Sequence, residues 1–523
     1  MVLSGCSPWG PQSIGASIPN SSQGPPAATS VPTPTAVSHP QLSSVTVIVP
    51  GSVGSFNPLL SHGATARALE ELLLPQLVHI SSRGEILPGL ATSWSVPSPD
   101  TLKLHVACSL RWSDGRPVTS ADAAATIQAI LNPVVDTGLN QLRAALAGVT
   151  VSAPDPCTLV VHSQHPVDAR LLALLSVPLL PHTVLEGVHD FAELANLSFN
   201  VQPVTVGFYT VQASSVLSTE LRRRASTGRA PQRVTLCFGG QRCGPPRPDG
   251  VVRLTQSNGS PRISRGEEQL HIPLARPVMI FLNLHQSFIG DPAVRRALSL
   301  ALHRRKLVEH VLHGEAEPLL SPLVPWFWAF DPTDEVPDGA PAKAEAVLAA
   351  DGWTRGTQGW SRNSMRLTMT LLTTAGRLRI AQAVAVSWQR IGIPTHVEVA
   401  GLGGLVRDFL ATGHYQAALL GIDHYGTMPD LAPLWSSTGA LNVTGVQDPL
   451  LDAAITSSLS LDKVEARQGY ESFQRRFIDI LPALPVYVPT ATVDDRGIDL
   501  NVTSLSSPET LIDTVSSWRR ASP

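Results

Sequence analysis

Residues 101–130 constrain the fold more than any other part of this 523-residue chain. Leu102, Leu104 and Val106 alternate with Lys103, His105 and Ala107, the period-two pattern of a strand with one covered face. Asp114-Gly115 then marks a tight turn, because glycine supplies the positive φ such turns need. Thr119 begins a capped helix. Asp122 stands three positions on as a short-armed capping box, and Ala123, Ala124, Ile127 and Ile130 carry the apolar face. The rest of the chain is placed around this strand, turn and helix.

Before it, residues 44–50 read as a strand through Val45, Val47 and Val49, and residues 64–74 as a helix. After it, residues 167–177 read as a helix, and residues 204–211 and 234–238 as strands. Residues 277–284 form a buried strand. Residues 291–313 read as one long amphipathic helix through Val294, Ala297, Leu298, Leu302, Val308 and Val311. Helices at 342–350, 380–391 and 462–480 then alternate with strands at 367–372, 396–399 and 417–422, and residues 485–488 close the chain as a terminal strand. Such alternation predicts the α/β class.

The length allows two to four domains. A net charge of −3 without a long basic stripe argues against a polyanion partner, so no nucleic acid is expected. Arg222-Arg223-Arg224 reads as a solvated strand end. No run of about 18 apolar residues crosses a membrane. The sequence holds no Gly-x-Ser-x-Gly elbow, phosphate-binding loop, dinucleotide glycine turn or His-Glu-x-x-His. His303, His310 and His313 miss the i, i+4 spacing of helical metal ligands. No enzyme activity, metal or cofactor is expected.

Leu3-Ser4-Gly5-Cys6 resembles a bacterial lipobox, in which the cysteine carries lipid. The charged and apolar stretches of a signal peptide are missing before it. Residues 7–44 are rich in Pro, Ser, Thr, Gly and Ala, the composition of a flexible tether. A lipid anchor at Cys6, residues 1–44 as lipobox and tether, and a location on the extracytoplasmic face of the cell membrane form one coherent layout. Setting Cys6 aside, Cys108, Cys157, Cys237 and Cys243 remain. An even remainder in an exported protein points to two disulfides. Cys237 and Cys243 bracket a short loop, and Cys108 and Cys157 border strands that would neighbour each other. Four free buried thiols is the alternative.

Several segments together resemble the family 5 extracytoplasmic solute-binding proteins, the oligopeptide-, dipeptide- and nickel-binding components of ABC importers. They are Leu110-Arg111-Trp112-Ser113-Asp114-Gly115-Arg116-Pro117-Val118-Thr119-Ser120-Ala121-Asp122, with Leu87-Pro88-Gly89-Leu90-Ala91 upstream. Phe281-Leu282-Asn283 and Asp291-Pro292-Ala293-Val294-Arg295-Arg296-Ala297-Leu298 follow in the family's order, then Gly352-Trp353, Asp448-Pro449 and Leu484-Pro485-Val486-Tyr487. The resemblance spans about residues 45–523. It implies a two-lobed periplasmic-binding-protein fold of type II, cluster C-like, with an extra β-rich subdomain. Its first lobe would be residues 45–77, 195–273 and 485–523, the extra subdomain residues 78–194, and the second lobe residues 274–484. It also implies a monomer that passes a peptide or other small solute from the interlobe cleft to ABC permease subunits.

By the same resemblance, Gly421 to Asp430 is the stretch that meets the solute. Peptide-binding relatives place there an Asp that holds the peptide's α-ammonium. Here that position is Tyr425, with Asp423 two residues away. A buried ammonium needs a carboxylate partner. Either Asp423 or Asp430 takes the role, or the ligand has no free amine. Asp423, His424 and Tyr425 are therefore expected ligand contacts. Trp328 and Trp435 are further ones by stacking, and Asn57, Asn442 and Tyr487 by position. Packing under a loop is the plainer reading of both tryptophans. The departures at Tyr425 and at Leu302-His303-Arg304 also fit a second function, a regulatory or scaffold lipoprotein that kept the fold and lost peptide binding.

Overall fold

A 14-residue strand, Ala483–Arg496, organises the molecule. Its first half pairs antiparallel with Val278–Leu282 and its second half with Gly250–Thr255 and Glu268–Pro273. One strand thus belongs to the sheets of both lobes, within a twelve-stranded assembly. The computed structural model describes residues 42–520 apart from 62, 136, 138, 225–229, 241–242, 244–247, 256–267, 423–429, 501, 503 and 506. Residues 40–523 form one unit; residues 1–39, a second, lie outside the described residues.

In the first lobe, Ser44–Ile48 runs parallel to Arg233–Cys237 on one side and Gly250–Thr255 on the other. The sheet continues outward through Ser218–Arg223 and Tyr209–Ser214. In the second lobe, Met369–Thr373 lies parallel between Thr395–Val399 and Ala417–Gly421. Val278–Leu282 joins that sheet antiparallel. Its side chains alternate between two cores: Val278, Ile280 and Leu282 face Trp388 and Leu298, while Met279 and Phe281 face Trp435 and Phe477. A strand covered on both faces must read as the continuous apolar run seen here.

The strand–turn–helix unit builds a separate four-stranded sheet of Ala91–Ser98, Thr101–Val106, Thr158–His162 and Thr150–Asp155. Leu102, Leu104 and Val106 are fully buried and join the core of the first lobe. The helix runs Ser120–Leu131. Asp122, almost fully buried, accepts from Thr119 N at 2.9 Å, Trp112 Nε1 at 3.1 Å and His182 N at 2.8 Å. The disulfides join Cys108 to Cys157 and Cys237 to Cys243.

Several expectations change. The long helix at 291–313 is two helices, Pro292–Leu300 and Arg304–His310. Asp338 accepts from Arg304 N at 2.6 Å and so starts the second helix anew. The fully buried Arg304 donates from Nε to Pro485 O at 2.6 Å and from Nη2 to Ser299 Oγ at 3.1 Å. Arg223, read as part of a solvated strand end, is buried. Among the described residues no helix is long and apolar enough to cross a membrane.

Candidate functional site

Strand register locates the cleft. Ile48 pairs with Cys237, so the carboxyl ends of these parallel strands share one edge of the first-lobe sheet. Pro273 and Thr490, also paired, stand where the chain passes to the second lobe. Beyond them Val278 pairs with both Gly421 and Tyr487, and Thr373 pairs with Val399. The carboxyl ends of the parallel strands in both lobes therefore converge on the crossing segments. Open α/β sheets bind ligands at that edge.

On the first-lobe side, the chain leaving Cys237 turns through Gly239 and Gly240 at φ of 68° and 70°, and the Cys237–Cys243 bond closes the loop. Gly240 N donates to Val49 O at 3.0 Å, fastening this loop to the neighbouring strand end. On the second-lobe side, the segment after Thr373 ends in Arg377, the N-cap residue of the helix Leu378–Arg390. Its guanidinium lies beside the Tyr487 side chain. It also lies over Gly421, where an added Cβ would be 2.6 Å from Nη2. Tyr487 is 6% exposed, and burial raises its phenol pKa while Arg377 opposes the rise. No ion pair neutralises Arg377 among the described residues. A cation next to a helix N-terminus is suited to an anionic group.

Of the expected contacts, Tyr487 stands at the strand ends, where Val278 pairs with both it and Gly421, and it is itself buried. Asp423, His424 and Tyr425 lie outside the described residues, as does Cys6. Asn57 is fully buried; its Nδ2 donates to Asn200 Oδ1 at 2.9 Å and its Oδ1 accepts from Leu59 N at 3.0 Å. Trp435 is fully buried and stacks on Phe281 with centroids 5.5 Å apart. Neither presents a surface to a solute in this conformation. Asn442 shapes its own loop, its Nδ2 donating to Ser436 O at 3.1 Å and Val446 O at 2.9 Å.

Trp328 braces the two lobes instead of standing at the strand ends. Its N–H donates to Arg83 O at 3.0 Å and its carbonyl accepts from Arg467 Nη2 at 2.6 Å. Lys463 and Arg467 lie 5.7 and 5.2 Å from its ring centroid, and Lys463 also pairs with Glu85. Trp94, Trp328 and Tyr470 line a small cavity of about 170 Å³ there.

A larger cavity of about 750 Å³ opens between the extra subdomain and Asp430 of the second lobe. Asp430 Oδ1 accepts from Ala432 N at 2.9 Å, and burial raises its carboxyl pKa against the opposing pull of Arg170. Arg170 is held by Asp168 through Nε at 2.9 Å and Nη2 at 2.6 Å. Among the described residues no cluster of three or more His, Cys, Asp or Glu is placed to hold a metal. Sequence reasoning missed Arg377 altogether. Its place depends on three strands being in register, and only its position ahead of an amphipathic helix was visible.

Comparisons with known proteins agree with this architecture. The chain is 23% identical over 456 residues to the periplasmic murein peptide-binding protein MppA of Escherichia coli (strain K12), covering 79% of this chain and 82% of that protein. The solved unliganded open form of MppA matches with a TM-score of 0.72 at 20% identity, covering 92% of this chain and 99% of that one. HbpA2 from Haemophilus parasuis matches with a TM-score of 0.73 at 15% identity, covering 88% and 98%. The model of bacterial extracellular solute-binding proteins, family 5 Middle, matches residues 85–226 and 249–442. With more than half of its length matched by that model, the chain belongs to the family 5 bacterial extracellular solute-binding proteins.

Proposed function

We propose that this protein captures a peptide or related small solute bearing a carboxylate and hands it to the permease of an ABC importer. The observation that carries the anionic part is Arg377, set over Gly421 beside Tyr487 at the edge where both sheets end. A peptide's terminal carboxylate suits a guanidinium held in this way. MppA is described as binding a murein tripeptide, which supports the peptide class. The first lobe is taken as residues 45–77, 195–273 and 485–523, the extra subdomain as 78–194 and the second lobe as 274–484. The protein acts as a monomer without catalysis, tethered by residues 7–44 to a lipid on Cys6 at the extracytoplasmic face of the membrane. Binding is a hinge closure about residues 273–278 and 487–490, in which the solute selects the closed arrangement.

The rival reading, a scaffold or regulatory lipoprotein, would be favoured by a filled or wide-open cleft. Native mass spectrometry of the purified protein, followed by incubation with a random tripeptide library, tests the proposal. A retained peptide mass that Arg377→Gln abolishes is the expected result. No retained solute, or retention independent of Arg377, rejects it.

A further inference from the structure

The lobes meet at a second place besides the crossing strands. Arg83 lies between the short strands Val78–Ile80 and Ile86–Pro88 of the extra subdomain and holds the second-lobe segment 326–328 at two points. Its carbonyl accepts from Trp328 N at 3.0 Å, and its Nε donates to Trp326 O at 3.2 Å. Around the same small cavity, Ala169 N donates to Leu459 O at 2.9 Å. Ala169 is the first residue of the helix Ala169–Leu174, and Leu459 caps the end of Pro449–Ser458. A helix start has amides without intrahelical acceptors, and a helix end has carbonyls without intrahelical donors. Each side of the junction thus satisfies the other's orphan group, and both residues are buried.

This junction is continuous with the crossing segments. Pro273 O accepts from Leu505 N at 2.9 Å, and Ser504 Oγ donates to Ser82 O at 3.3 Å, one residue before Arg83. A connected path therefore runs from the hinge to Trp328. In a hinge motion the atoms nearest the axis move least. The cations of Lys463 and Arg467 lie over the Trp328 ring at 5.7 and 5.2 Å, a contact that survives a small rotation because the attraction is spread over the ring face. We infer that the Trp328 brace is a fulcrum: it stays joined while the lobes close, and it confines closure to one axis through the crossing segments and Trp328. The fulcrum presupposes the hinge closure proposed above and gives it an axis. A latch that parted in each cycle would break the Ala169–Leu459 bond and expose both buried residues, whereas a fulcrum breaks neither.

Hydrogen exchange, read by mass spectrometry on peptic fragments holding Trp328 and Ala169, tests this without solute and with a saturating random tripeptide library. Both fragments are expected to be protected at least about 100-fold over an unstructured chain without solute, and to change less than about threefold when it binds. Weaker protection without solute, or a larger change on binding, makes the contact a latch and overturns the fulcrum. In Trp328→Ala, protection at Ala169 is expected to fall at least about tenfold and the radius of gyration without solute to grow, while Leu378–Arg390 keeps its exchange rates. Protection at Ala169 or a radius left as in the wild type overturns the fulcrum. Where Trp328→Ala does not fold, Arg83→Ala takes its place with the same expected and contrary outcomes. If no peptide binds, the peptide reading fails by itself, and the solute-free exchange and the variant decide the fulcrum.

Discussion

A Cβ on Gly421 would lie 2.6 Å from Nη2 of Arg377. The end of the Ala417–Gly421 strand is bare because the Arg377 guanidinium lies over it. The contacted atom is the far end of a flexible side chain, so the fold tolerates a methyl group but the guanidinium is pushed aside. Gly421→Ala is expected to unfold within about 1 kcal/mol of the wild type and to bind its solute about 10-fold more weakly. Chemical denaturation and titration calorimetry read the two effects separately. Equal loss of stability and affinity would contradict the placement of Arg377.

Glu70 predicts how stability depends on pH. It is 2% exposed, and its Oε2 accepts from Ser61 Oγ at 2.9 Å. Its Oε1 has no hydrogen-bond partner among the described residues. Burial is the main cause that raises its pKa from 4.5 to about 8. The folded state therefore favours the protonated acid. Its contribution is full below pH 4.5 and is lost as pH rises toward 8. The loss is on the order of 5 kcal/mol. Glu70→Gln should flatten this decline, so the variant outlasts the wild type in urea at pH 9 but not at pH 4.5. Parallel pH profiles would show that Glu70 is charged when folded.

Asp122 holds the extra subdomain together through Thr119, Trp112 and His182. Asp122→Ala leaves three buried or half-buried donors without this acceptor. A loss of about 3 kcal/mol is expected. Hydrogen exchange should show Ser120–Leu131 losing protection first, with the second-lobe helix Lys463–Ile480 unchanged.

The Cys108–Cys157 bond closes a loop with a sequence separation of 49 and ties the strand before the Asp-Gly turn to its neighbour. Loop-closure entropy sets its contribution at about 4 kcal/mol, against about 2 kcal/mol for the shorter Cys237–Cys243 loop. The double change Cys108→Ser with Cys157→Ser should lower the melting temperature more than Cys237→Ser with Cys243→Ser. The second pair of changes should instead weaken solute binding, because that loop stands at the cleft edge.

Much of the fold was legible because its signals are local. The alternation of Leu102, Leu104 and Val106, the Asp114-Gly115 turn and the apolar run at Val278–Leu282 each depend on a few neighbouring residues. What stayed hidden depends on distant partners. The helix break before Arg304 follows from Asp338, 34 positions away, and from Pro485, 181 positions away. The terminal strand proved longer than residues 485–488 because its second half finds Gly250–Thr255 and Glu268–Pro273. The same holds for the site. Tyr487 was visible as a position in a motif, but Arg377 becomes meaningful only when residues 278, 421 and 487 are side by side. Asn57 is expected as a contact from its position and Trp435 from stacking, yet both are fully buried.

A bound solute is expected to close the two lobes about the strand Ala483–Arg496. Small-angle X-ray scattering of the purified protein, with and without a saturating tripeptide library, measures that most directly. A smaller radius of gyration is expected with peptides, and no change for Arg377→Gln. An unchanged radius in the wild type, with peptide binding demonstrated in the same sample, would contradict it.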